Sequence, residues 1–200
     1  MRNHWWWRPG WSVGRRFYTW HLTFEGQDDV HRLAGQYRVG LAPLGPVLTP
    51  IPDQWLHLTM QGIGFVGEAR TSDVQAVVEA ARKRLASVPA FDLRVGPADL
   101  HPEAVLLRVH PEEPVRAVRD AVRGAIGDVL DDVPEQADGF TPHVSVAYSA
   151  ADGPAEPVAR ILDSLELPAA QARITNAELI VLHRDHQMYE WESFATVPLG

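Results

Sequence analysis

The chain has 200 residues and a mass of 22.2 kDa, enough for one sizeable domain or two small lobes sharing a core. Apolar residues make up 46% and charged residues 22%, and no run approaches the ~18–20 apolar residues of a membrane span, which sets aside intrinsic disorder and an integral membrane protein. Cysteine is absent, excluding disulfides, thiol nucleophiles and thiolate metal sites, and a net charge of −8 argues against an extended nucleic-acid surface while leaving room for a small anionic ligand in a local pocket.

The opening residues hold Arg2, three tryptophans and Arg8-Pro9 rather than a smooth apolar stretch, so no secretory leader is read there. A cytoplasmic monomer is the expectation. Ser12 to Phe24 ends in strict alternation, with Tyr18, Trp20, Leu22 and Phe24 on one side and Thr19, His21 and Thr23 on the other, the pattern of a strand. Asp28 to Tyr37 carries Val30, Leu33, Ala34 and Tyr37 at helical spacing behind an acidic start. The proline-rich stretch 42–52 reads as a loop, and Trp55 to Ile63 as a second strand.

Ser72 and Gln75 form a candidate capping box for a helix whose buried stripe is Val74, Val77, Val78, Ala81 and Leu85. Strands are expected at 91–95 and 105–109. Pro114 suits the first turn of a helix that buries Val115, Val118, Val122, Ile126 and Val129. Thr141 to Tyr148 alternates again, a short helix carries Val158, Ile161, Leu162 and Leu165, and the tail reads as a hairpin of 173–183 and 187–197 turning at Arg184-Asp185-His186. About seven strands interleaved with four helices indicate an α+β or mixed-sheet α/β domain. No linker divides residues 1–200, and a Trp/Arg-rich arm covers 1–16.

The tripeptide His-x-Thr/Ser occurs three times, at His21-Leu22-Thr23, His57-Leu58-Thr59 and His143-Val144-Ser145. Residues i and i+2 of a strand share a face, so each copy presents an imidazole and a hydroxyl side by side. Two such strands facing each other would surround one concave site with two imidazoles and two hydroxyls, a set suited to phosphodiester chemistry. One neutral imidazole takes a proton from the attacking oxygen, a protonated one gives a proton to the leaving oxygen, and the hydroxyls hold the non-bridging oxygens. At ~10²- to 10⁴-fold each, the pair could supply roughly 5–11 kcal/mol. No metal or other cofactor is required. His57 and His143 are the candidate catalytic pair, Thr59 and Ser145 the candidate phosphate ligands, and His21 is read as a polar-face residue without a role.

With these residues the chain resembles a known family. The segment from Trp55 to Glu68, with His57-Leu58-Thr59, looks like the first signature of the 2H phosphoesterase superfamily, and Phe140 to Tyr148, with His143-Val144-Ser145, like its second. More narrowly, the chain is similar to bacterial proteins of the 2′-5′ RNA ligase and cyclic phosphodiesterase branch, over 17–197. The resemblance implies a bilobal α+β fold, two antiparallel sheets flanked by helices with a central groove, each lobe giving one motif. It implies hydrolysis of 2′,3′-cyclic or 2′-5′-linked nucleotides or RNA ends without metal, His57 protonating the leaving 3′ oxygen and His143 activating water. Ligation would be the same chemistry reversed. The expected partner is a small nucleotide or an RNA end, with no membrane. The alternatives are a nucleotide-binding module of the same fold with little catalysis and a histidine-ligated metalloprotein.

Gln61 shares the face of His57 and Thr59 under strict alternation, a candidate substrate contact. Many relatives carry a basic residue just after the second motif; here Tyr148 stands there, on the opposite face if alternation holds, and it too is a candidate contact. Trp7 and Arg8 of the arm could stack on a base and neutralise a phosphate; the blander expectation is that the arm covers a sheet edge. His183 and His186 read as a solvated turn rather than metal ligands, and His31, His101 and His110 as exposed helix and loop residues without a special role.

Overall fold

The computed structural model describes all 200 residues. Nine strands form two sheets: β1 (Phe17–Thr23), β3 (His57–Phe65), β8 (Asn176–His183) and β9 (Glu190–Pro198) make one, in the order β3-β1-β8-β9. The other has β2 (Leu48–Pro50), β4 (Phe91–His101), β5 (Ala104–His110), β6 (His143–Ser149) and β7 (Ala170–Ile174), in the order β2-β6-β5-β4-β7. All named pairings are antiparallel.

Four helices cover these sheets: α1 (Asp28–Leu41), α2 (Thr71–Leu85), α3 (Glu113–Gly127) and α4 (Glu156–Ser164). The first sheet takes α3 against β3 and α2 against β9, with the two helices packed together; the second takes α1 against β6 and β7 and α4 against β4. α2 and α3 bury most of the stripes read from the sequence, with Val74, Val77 and Ala81 of α2 and Val115, Val118 and Val122 of α3 fully enclosed, whereas Val129 and Leu165 lie past the ends of α3 and α4 and are only partly buried. Trp20 and Leu22 of β1 belong to the same core, each at 0% exposure and each contributing about 1.5–3 kcal/mol by leaving water. The sheets meet where β3 approaches β6, the two strands that carry the paired motifs. This is the α+β architecture of two antiparallel sheets with flanking helices that the resemblance implied.

Several local expectations change. The stretch 42–52 is not an open loop: a 3-10 turn at Ala42–Val47, where prolines deny an α-helix its donors, leads into β2, which pairs with β6. The capping box is not formed. The helix begins at Thr71, so Ser72 lies inside the first turn and donates to Asp73 Oδ1 at 3.3 Å. The strand expected at 173–183 is two strands in two sheets, β7 pairing with β4 and β8 with β1, with the crossing at Thr175. His101 and His110 lie in strands β4 and β5 rather than in loops.

Two bulges decide which side chains face the gap between the sheets. On β3, His21 opposes Thr59 but Trp20 opposes Gln61, so Met60 is an extra residue and the alternation reverses beyond it. On β6, Leu106 opposes Ser145 but Val105 opposes Ala147, so Val146 is extra and Tyr148 comes to oppose Ala104. The first bulge turns Gln61 towards the core side of Trp20. The second turns Tyr148 onto the face of His143 and Ser145.

Candidate active site

A cleft of about 400 Å³ runs between the sheets, and His57, Thr59, His143 and Ser145 all line it. Each imidazole is fixed in the same way. His57 Nδ1–H donates to the Trp55 carbonyl at 2.8 Å, and His143 Nδ1–H donates to the Thr141 carbonyl at 2.8 Å. A carbonyl only accepts, so the proton sits on Nδ1 in both neutral rings and Nε2 is left for a ligand. The two motifs thus deliver equivalent nitrogens from opposite sheets, with a hydroxyl two residues on. Thr59 is open to the groove, whereas Ser145 is buried in its wall.

Burial sets the protonation of the histidines. His57 is 8% exposed, and removal from water lowers its pKa to about 4, opposed by the hydrogen bond to Trp55 and aided by the nearness of His143. His143, half-buried, is lowered as well, chiefly by burial. Both rings are neutral at pH 7.

His21 of the third copy also stands at the site, where the sequence reading had made it a polar-face residue of the first strand, while its Thr23 turns away to Glu178. His21 is 1% exposed and lines the cleft, its ring lies parallel to that of His57, and its Nε2 sits 3.5 Å from Thr59 Oγ1. Burial first, and His57 second, hold its pKa well below the ordinary value. The sequence carried the signal, an identical tripeptide; what it lacked was the pairing of β1 beside β3.

Gln61 is corrected in the opposite sense. It is fully buried and does not line the cleft; its amide donates to the Pro134 carbonyl at 2.5 Å and its Oε1 accepts from Arg123 at 2.6 Å. Tyr148 lines the cleft, its ring stacked on His4 with centroids 4.2 Å apart and its hydroxyl's pKa raised by burial.

The arm divides. Trp7 is half exposed and stays outside the cleft, so it is not among the lining residues. Arg8 does line it, donating to Tyr189 Oη at 2.8 Å and Glu103 Oε2 at 2.9 Å. His4 and Trp11 join it there, with burial and the neighbouring Arg8 and Arg184 lowering His4 to about 3.

The arm also covers apolar surface, as the blander reading had it, burying Trp5. Its anchor is Arg184, at the turn expected to be solvated: 3% exposed, it donates to the His4 carbonyl at 3.1 Å and lies 5.3–6.0 Å from the ring centroids of Trp5, Trp7, Trp11 and Tyr189. His183 and His186 beside it approach Glu190, His186 at 2.6 Å. His101, set aside at first, stands on the cleft wall. No group of three or more histidine or carboxylate side chains is arranged to hold a metal ion. No helix is long and apolar enough to cross a membrane.

A family model described as the 2′-5′ RNA ligase superfamily matches residues 27–186, four-fifths of the chain. The fold is similar to that of TT0787 of Thermus thermophilus, with a TM-score of 0.68 and 16% identity over 92% of this chain and 97% of that one. It is also similar to E. coli LigT in apo form, with a TM-score of 0.67 and 14% identity over 92% and 98% of the two chains. The complex of LigT with 3′-AMP gives a TM-score of 0.65 at 16% identity over 92% and 97%. At these identities the likeness is one of fold. No curated protein matches the sequence significantly.

Proposed function

The chain belongs to the 2′-5′ RNA ligase superfamily, the 2H phosphoesterases, and from that membership we propose that it hydrolyses 2′,3′-cyclic phosphates of nucleotides or RNA ends without a metal ion. The observation that carries the reading is the matched pair of imidazoles, each tethered through Nδ1 to a carbonyl two residues upstream and each aiming a free Nε2 into one cleft. Pure binding does not need two histidines held in the same tautomer.

A bound phosphodiester anion raises the pKa of His57, which then takes a proton from solvent. A phosphodiester anion about 4 Å from an imidazolium in surroundings of effective dielectric ~20 is worth about 4 kcal/mol, enough to return His57 from about 4 to the neutral range. The pair then carries one proton. We assign it to His57, as the resemblance implies, and place water activation at His143, whose half-buried ring is reached by solvent more easily than the enclosed His57. Water attacks phosphorus and loses its proton to His143 Nε2. The bond from phosphorus to O3′ breaks as His57 Nε2–H protonates O3′, leaving a 2′-phosphate and a free 3′-hydroxyl. Thr59 and Ser145 hydrogen-bond the non-bridging oxygens, and Arg8 supplies positive charge at the groove wall where no basic residue follows the second motif.

The test is incubation with the four nucleoside 2′,3′-cyclic phosphates in EDTA, resolving 2′- from 3′-phosphate products. Formation of the 2′-phosphate, abolished by His143→Ala, supports the reading and its polarity. A 3′-phosphate product reverses the polarity. Absence of turnover with all four, in EDTA and in added divalent metal, overturns the hydrolytic reading for nucleoside substrates.

A further inference from the structure

The loop joining α3 to β6 is held by an unusual amount of side-chain hydrogen bonding. Arg119, four residues before Arg123 on α3, is buried at 6% exposure; its Nε donates to the Met60 carbonyl at 3.0 Å, and its other nitrogens donate to the carbonyls of Ala137 and Gln136 at 2.8 and 2.9 Å. Met60 is the bulged residue of β3. Arg123 donates to the carbonyls of Pro134 and Glu135 as well as to Gln61, which itself donates to Pro134. Two arginines and a buried glutamine therefore fix the backbone of 134–137 against β3.

The residue this clamp presents is Glu135. Its φ is 62°, in the left-handed region that a non-glycine residue seldom occupies without a local reason. Its carboxylate reaches over Gly62 into the cleft. A Cβ added to Gly62 would lie 2.6 Å from Glu135 Oε1 and 2.7 Å from the Phe17 ring, so only glycine leaves room for the two to stand side by side. Trp11 packs on Phe17 with centroids 5.6 Å apart, and both rings line the cleft.

The spacing along β1 sets the distance from the chemistry. His21, Thr19 and Phe17 succeed one another on the groove face, so Thr19 lies about 7 Å and Phe17 about 13 Å along the strand from the histidine end. The first of these distances is about that from the phosphate of a nucleotide to its base, which sets the base level with Thr19 and its far edge towards Phe17. A flat base fits against aromatic rings, and an ionised carboxylate only accepts hydrogen bonds. Guanine alone offers two adjacent N–H donors, N1–H and the exocyclic amine, to match two carboxylate oxygens. Adenine and cytosine set a ring acceptor beside their amine, and uracil flanks its N–H with two carbonyls.

We propose that Glu135 is the base-reading residue of the groove, accepting hydrogen bonds from the paired N–H donors of a guanine held against Phe17 and Trp11. The assignment rests on the nucleotide reading above. The test compares wild type and Glu135→Gln on the four nucleoside 2′,3′-cyclic phosphates, and measures binding of guanosine and cytidine monophosphates by tryptophan quenching. In wild type, kcat/KM for guanosine exceeds that for cytidine by about tenfold, and Glu135→Gln removes most of that ratio. Equal values for all bases in wild type, an unchanged ratio in the variant, or a uniform loss on every base overturns it. If none of the cyclic phosphates is turned over, hydrolysis fails as a reading while the subsite is still decided: tighter binding of the guanosine nucleotide, lost in Glu135→Gln, supports it, and equal or absent binding sinks it.

Discussion

The rings of His21 and His57 are stacked, with centroids 4.4 Å apart and planes inclined by only 4° to each other. Trp191 meets both rings edge-on, at 5.6 and 5.3 Å. His57 is thus enclosed between His21 and Trp191. The stack excludes water from His57 and keeps the ring from rotating.

Removing His21 should therefore be felt at its neighbour. His21→Ala admits water beside His57 and raises the His57 pKa towards 6.5, whereas His21→Phe keeps the stack and leaves it low. NMR titration of the His57 ring in the two variants is the measurement. An unmoved His57 in His21→Ala would show that the stack has no electrostatic consequence.

His57→Ala and His143→Ala should each lower kcat by about 10²- to 10⁴-fold, the range for loss of a general acid or base. Thr59→Ala and Ser145→Ala should cost less, because each removes one hydrogen bond to phosphate. Steady-state rates on a turned-over cyclic phosphate, with circular dichroism to check folding, decide this. Retention of most activity in either histidine variant would remove that residue from the chemistry.

Acid should unfold the protein earlier than its carboxylates alone would require. His4, His21 and His57 are buried neutral, with pKa values below the 6.5 of the unfolded chain. Between pH 6.5 and those values the unfolded state binds protons that the folded state refuses, so stability falls as pH drops through this window. For His57, lowered to about 4, the loss amounts to about 3 kcal/mol by the bottom of its window. Urea midpoints measured from pH 7.5 to 4 should fall steadily from about 6.5; a flat profile down to pH 5 would contradict the burial.

Arg184→Ala should release the arm. It removes the donor to the His4 carbonyl and the cation among Trp5, Trp7, Trp11 and Tyr189, at a cost of about 2–4 kcal/mol. Trypsin should then cleave faster at Arg2 and Arg15, and tryptophan emission should shift to the red. Wild-type resistance in the variant would mean that the arm is held by its apolar contacts alone.

The parts of this structure legible in the sequence are those set by local periodicity. The core faces of α2 and α3 follow a 3.6-residue repeat, and His57, Thr59, His143 and Ser145 fall on the groove side because each pair spans only two residues with no irregularity between them. One residue further, parity fails. Met60 and Val146 are ordinary apolar strand residues, and nothing in their identity marks them as bulges, yet they move Gln61 out of the groove and Tyr148 into it. His21 and Arg184 depend on contacts across 36 residues or more of chain, between elements whose adjacency the alternation of apolar residues does not encode. The same holds for Glu135, whose place is fixed by side chains from β3 and α3.

Both imidazoles are aimed by carbonyl oxygens, from Trp55 and Thr141, and a carbonyl is furnished by every amino acid. The side chains at 55 and 141 can therefore drift while the two Nε2 atoms keep their bearing, provided the strands that follow keep their course. The aim of the paired imidazoles is written into the main chain, so evolution is free to repaint the walls of the groove without turning either ring.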